Sequence, residues 1–75
     1  MAKLPRLSGK EVLKALKKAG FEEARQRGSH VIMTKQSSQG KLPLVAPMHK
    51  EIDKGTLLEI IRQSKMSKDE FLELL

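Results

Sequence analysis

Apolar positions recur along the start of the chain with a helical period. Val12, Leu16 and Ala19 fall at i, i+4 and i+7, with Leu13 and Ala15 beside them, so the segment from Ser8 to Gly20 carries one apolar stripe. Both of its ends are marked. Ser8 followed by Glu11 has the spacing of a capping box, in which each side chain takes up a free backbone N–H of the first turn, and Gly20 supplies a stop. Lys10, Lys14 and Lys17 repeat the helical spacing on another side, widened by Lys18. One side of this helix packs and another presents ammonium groups.

The pattern then loses its helical period. Phe21 to Gln26 reads as a polar strand, Arg27-Gly28-Ser29 as a tight turn, and His30 to Thr34 as a β-branched strand. Gln36 to Gly40 is a cluster of turn formers. Leu42 to Ala46 makes a third strand, with Pro43 and Pro47 pointing to a sheet-edge or strand-end position. Short connections predict an antiparallel meander. Val31 and Ile32 are both apolar, so alternation alone does not choose the sheet face that carries His30. A loop from Pro47 to Lys54 holds His49. A second helix runs from about Lys54 to Ser64, with Asp53 as N-cap and Leu57, Ile60 and Ile61 on its buried side. Ser67 and Glu70 form a further capping box, opening a short last helix toward Leu75. The expected fold is α+β: one domain over residues 1–75, α-β-β-β-α with a short C-terminal helix, its three-stranded antiparallel sheet covered on one face by the two longer helices.

Composition narrows the function. A chain of 75 residues holds one core and leaves no room for a Rossmann fold, a TIM barrel or a kinase. It contains no cysteine, which removes disulfides, Cys-ligated zinc, iron–sulfur clusters and thiol chemistry, and suits a reducing cytoplasm. No apolar run is long enough to span a membrane, and Met1 to Arg6 lacks the apolar core of a signal peptide. The charge is uneven. Residues 1–35 carry nine Lys and Arg against three acids, whereas residues 36–75 carry six of each, so the whole net charge of +6 sits in the first half. A polyanion such as nucleic acid, an acidic membrane surface or an acidic protein is the implied partner, against the plain alternative of solubility. The two phenylalanines, Phe21 and Phe71, read as core residues, and the chain has no Tyr or Trp. Stacking of bases on a surface aromatic platform is therefore not expected; RNA would be held by Lys/Arg contacts and shape.

Two histidines, His30 and His49, are the natural candidates for proton transfer near neutral pH. His30 follows Gly28-Ser29, with Arg25 and Arg27 on one side and Lys35 on the other. Cations around an imidazole favour its neutral, proton-accepting form, and the same cations hold a phosphate. A base beside a phosphate clamp is what RNA cleavage needs, because RNA carries its own nucleophile, the 2′-OH. DNA lacks that group. On position alone, however, a turn histidine bonded to backbone is the more ordinary reading of His30, and His49 reads as a loop residue. Ser29 beside glycine is a common turn residue, and a stripe such as Lys10/Lys14/Lys17 is more often just a solvated surface than a phosphate track. Met33 and Met48 read as core or loop filler.

An ordered set of short motifs nevertheless resembles the HicA-type mRNA interferase toxins of toxin–antitoxin pairs. It comprises Leu7-Ser8-Gly9-Lys10-Glu11 with Leu16 and Ala19-Gly20-Phe21, Arg25-Gln26-Arg27-Gly28-Ser29-His30, Val45-Ala46-Pro47-Met48-His49, Lys54-Gly55-Thr56-Leu57, Ile60-Ile61-Arg62-Gln63 and Ser67-Lys68-Asp69-Glu70-Phe71. The resemblance implies a double-stranded-RNA-binding-like fold and metal-independent mRNA cleavage with no cofactor. It implies His30 as the catalytic residue and a HicB-type antitoxin that covers the site. With it, Ser29, Arg27, Arg25 and Lys35 become expected phosphate contacts, with Lys10 and Lys14 on the helix. Gly28 becomes a backbone requirement, and Gly55 and Thr56 become helix-start structure. Two positions depart from many members: Val31 follows the histidine, and Lys50-Glu51 follows His49. The rival from another class is a non-catalytic module for double-stranded RNA; a third is a scaffold for an acidic protein. The antitoxin is expected to bring acidic groups to a face bearing Arg25, Arg27 and Lys35.

Overall fold

The computed structural model describes residues 4–75; Lys3 and the start of the Met1–Arg6 segment lie outside the described residues. The elements run α1 (Gly9–Lys18), β1 (Glu22–Arg27), β2 (His30–Ser37), β3 (Gly40–Pro47), α2 (Lys54–Ser64) and α3 (Lys68–Leu72). This is the expected α+β order, with a three-stranded antiparallel sheet in the sequential order β1-β2-β3.

Both capping signals on α1 act as read. Ser8 N donates to Glu11 Oε1 at 2.9 Å, and Glu11 N donates to Ser8 Oγ at 3.2 Å. At the far end Gly20 N donates to Lys17 O and Phe21 N to Leu16 O, both at 3.0 Å, the paired bonds of a Schellman motif. This closure turns Phe21 straight into the core, where it is buried. Strand β1 therefore begins one residue later than its polar pattern predicts.

The sheet is longer than its β-branched stretches. Ser37 pairs with Gly40 and Gln36 with Lys41, so the ladder runs through residues that read as turn formers, and only Ser38-Gln39 make the turn. Pairing with a neighbouring strand outweighs weak local propensity there. β3 lies at an edge and Pro47 closes it, so both of the positions that the prolines allow are used. Val31 and Met33 of β2, with Leu44 and Ala46 of β3, point inward. They meet Val12, Leu13, Ala15 and Leu16 of α1 and Leu57, Ile60 and Ile61 of α2. Phe21 and Phe71 complete that core as expected.

Asp53 caps α2. Its Oδ2 accepts from Thr56 N at 3.0 Å and its Oδ1 from Thr56 Oγ1 at 2.7 Å, which makes Thr56 helix-start structure. The Thr56 hydroxyl bond, followed by the backbone N–H bond, holds the Asp53 carboxyl below its ordinary value of 3.8. A carboxyl depressed in the folded state stabilises fully above its unfolded pKa and loses that contribution as pH falls through the carboxylate range. Asp53→Asn keeps a capping oxygen but cannot titrate. The melting temperature of D53N is therefore expected to fall less than that of the parent between about pH 5 and pH 3. Equal acid sensitivity in thermal unfolding would refute the role of Asp53.

Candidate functional site

The β1–β2 hairpin turns on two residues, Gly28 and Ser29, between the paired Arg27 and His30. Gly28 has φ +58°, and Ser29 is not among the residues of positive φ, the pattern of a type II′ turn with glycine first. A β-carbon at Gly28 would meet nothing within 4 Å, so conformation, not crowding, calls for glycine.

Alternation along β2 settles the face of His30. Val31 and Met33 are buried against the helices, so His30 and Ile32 point to the opposite, uncovered side, and His30 is exposed. Directly paired residues in an antiparallel ladder share a face. Arg27, opposite His30, and Arg25, opposite Ile32, therefore stand on that same outer side. A β-bulge between Glu23 and Arg25 makes this possible. It lets Glu23 face inward, where its carboxylate pairs with Lys17 of α1 at 3.0 Å, while Arg25 and Arg27 face out.

Lys35 is not brought to this site. It has the inward parity of Val31 and Met33, and its ammonium lies 5.8 Å from the centre of the Phe21 ring. Lys35 stands five residues beyond His30 on the same strand, an odd number, so two-residue periodicity puts the two on opposite faces. Lys14 is also elsewhere, in a groove with Leu7, Glu11, Ala15, Lys18, Leu74 and Leu75.

The histidine that read as a loop residue does belong here. Past Pro47, which pairs with His30, the chain is tethered at three points. Met48 N donates to Ser29 O at 2.6 Å, Gly9 N donates to His49 O at 2.8 Å, and Ile52 N donates to Leu7 O at 2.7 Å. These bonds bring the His49 ring to the His30 ring, 6.5 Å between centroids and 70° between planes. A groove of about 290 Å³ beside His49 is lined by Ser8, Lys10, Met48 and Lys50. Lys10 thus joins the site from α1, on the His49 side. Among the described residues the ion pairs are Lys17–Glu23 and Arg62–Glu59, so Arg25, Arg27, Lys10 and Lys50 carry positive charge that no carboxylate neutralises at contact. No cluster of three or more His, Asp or Glu donors suited to a metal ion occurs among the described residues.

The arrangement is two exposed imidazoles edge to face, arginines on one flank and lysines on the other. It can accept and return protons next to an anion. A family model described as the HicA toxin of bacterial toxin–antitoxin systems matches residues 9–66. The chain belongs to the HicA toxin family. The HicA match spans α1 through α2 and includes both histidines. Membership makes the chain the toxin of a toxin–antitoxin pair, in a family of mRNA interferases. No curated protein matches it. No helix among the described residues is long and apolar enough to cross a membrane.

Proposed function

We propose that this HicA-family toxin is a metal-independent endoribonuclease that cleaves mRNA in the cytoplasm and so halts translation and growth, with His30 as general base. The observation that carries the reading is the placement of His30, exposed on the outer sheet face directly opposite Arg27. Neutral His30 takes the proton of a ribose 2′-OH. The 2′-oxygen attacks the adjacent phosphorus, and Arg27 and Arg25 hold the phosphoryl oxygens as charge builds on them. Ser29, at the turn, orients the phosphate beside the base. The product carries a 2′,3′-cyclic phosphate.

A HicB-type antitoxin would inhibit by covering this face. Its acidic groups would meet Arg25 and Arg27 and exclude RNA from His30; Lys35, on the helix side, takes no part in that contact.

Purified toxin is expected to cleave RNA undiminished in EDTA, to leave 2′,3′-cyclic phosphate ends, and to spare DNA. An RNA strand with a single 2′-deoxy sugar at the cleaved position should resist at that position. A strict requirement for a divalent ion, or cleavage past the deoxy sugar, would overturn the mechanism.

A further inference from the structure

His49 supplies what His30 alone does not. In an in-line displacement at phosphorus the attacking 2′-oxygen and the departing 5′-oxygen lie on opposite sides, so the group that removes one proton is badly placed to deliver the other. A second proton donor is required on the far side. Besides His30, His49 is the one remaining histidine, and the chain has neither tyrosine nor cysteine. The fold spends three backbone hydrogen bonds, from Met48, to His49 and from Ile52, on holding the His49 loop against the hairpin turn and the start of α1. The ring centroids stand 6.5 Å apart, near enough to address one phosphodiester from two sides. Their planes differ by 70°, so they do not stack flat and close the gap.

We infer that His49 is the general acid of the reaction, a proposal that rests on the ribonuclease reading above. The proton of the 2′-OH passes to His30 as the bond from the 2′-oxygen to phosphorus forms. The bond from phosphorus to the 5′-oxygen breaks, and His49, entering as imidazolium, gives that oxygen its proton. The products are a 2′,3′-cyclic phosphate and a free 5′-hydroxyl, and no proton is gained or lost overall. The phosphodiester, an anion between the two imidazoles, attracts the charged ring, and Lys10 and Lys50 attract the phosphates that follow it. Those two lysines, in the groove beside His49, then lie where the strand downstream of the cleaved bond leaves.

The test changes the leaving group. In an RNA oligonucleotide with sulfur in place of the bridging 5′-oxygen, the departing thiolate is stable without a proton, so the acid becomes dispensable. His49→Ala is expected to slow cleavage of ordinary RNA by about 10²–10⁴-fold. On the sulfur substrate the same variant should regain the rate of the parent protein, whereas His30→Ala should remain slow on both. His49→Gln, which keeps a polar side chain on this exposed residue, should behave as His49→Ala does, with thermal unfolding of both variants like that of the parent. If His49→Ala and His49→Gln are as slow on the sulfur substrate as on ordinary RNA, or as fast as the parent on both, His49 is not the acid. If the parent itself cleaves neither substrate, it is the ribonuclease reading that fails, and this inference with it.

Discussion

Purified His30→Ala is expected to fold like the parent and to lose RNA cleavage by about 10²–10⁴-fold or more, the contribution of a positioned general base. The fold should survive because the side chain is exposed, outside the core formed by the inner face of the sheet and the helices. RNA binding should survive as well, since in the proposed mechanism Arg25 and Arg27, not the imidazole, hold the phosphate. Expression of the parent should arrest growth with loss of intact mRNA, while the variant should be tolerated. The contrast with Arg27→Ala separates the two roles. If Arg27 holds a phosphate as proposed, that variant should weaken RNA binding and flatten its salt dependence, the mark of a lost charge contact. Cleavage by His30→Ala at the parent's rate would leave the base unassigned, whatever the binding results. A non-catalytic RNA-binding module would show the reverse order of effects: Arg27→Ala would matter and His30→Ala would not.

The elements were legible because their ends carry chemistry. Ser8 with Glu11, Asp53 with Thr56 and Ser67 with Glu70 each satisfy free N–H groups at a helix start, and all of these caps form. The apolar period of α1 and α2 likewise points inward as read, at Val12, Leu16, Leu57, Ile60 and Ile61. The face of each strand residue was not legible to the same degree. His30, Val31, Ile32 and Met33 contain no polar/apolar alternation sharp enough to choose a side, and the choice is made by which of them the helices cover. The β-bulge near Ala24 is a second case. It reverses the parity of β1 between Glu23 and Arg25, and nothing in Glu22-Glu23-Ala24-Arg25 announces it. Proximity in sequence to His30 was therefore a poor guide: Lys35, five residues on, ends up on the other face over Phe21, while Lys10 and His49 arrive from other parts of the chain. Such meetings depend on long-range backbone bonds. The bonds use N–H and C=O groups that nearly every residue has, so the residue types at those positions do not announce them.

One of those bonds rests on a glycine, and its replacement tests how tightly the site is held. Gly9 is buried at the first turn of α1, and a β-carbon there would lie 2.7 Å from Met48 Cα and 3.2 Å from His49 N. Both neighbours are backbone, so they cannot swing aside as a flexible side chain would. In an open helix Gly→Ala stabilises by about 0.5–1 kcal/mol, since alanine has less backbone freedom to lose. Here overpacking, at about 1–3 kcal/mol, opposes and outweighs that gain. Gly9→Ala is therefore expected to lower the melting temperature by several degrees, at about 4–8 °C per kcal/mol for a domain of this size. The strain has one direct outlet: α1 and the loop move apart, and the 2.8 Å bond from Gly9 N to His49 O lengthens. His49 then shifts relative to His30. A misplacement of about 1 Å between reacting groups can cost about 10²-fold. Cleavage by Gly9→Ala should consequently fall far more than its loss of stability explains at a temperature where the variant remains folded, with RNA affinity little changed. Should Gly9→Ala melt and cleave like the parent, the loop is not pressed against α1 as closely as this contact requires, and the pairing of the two histidines would not depend on it.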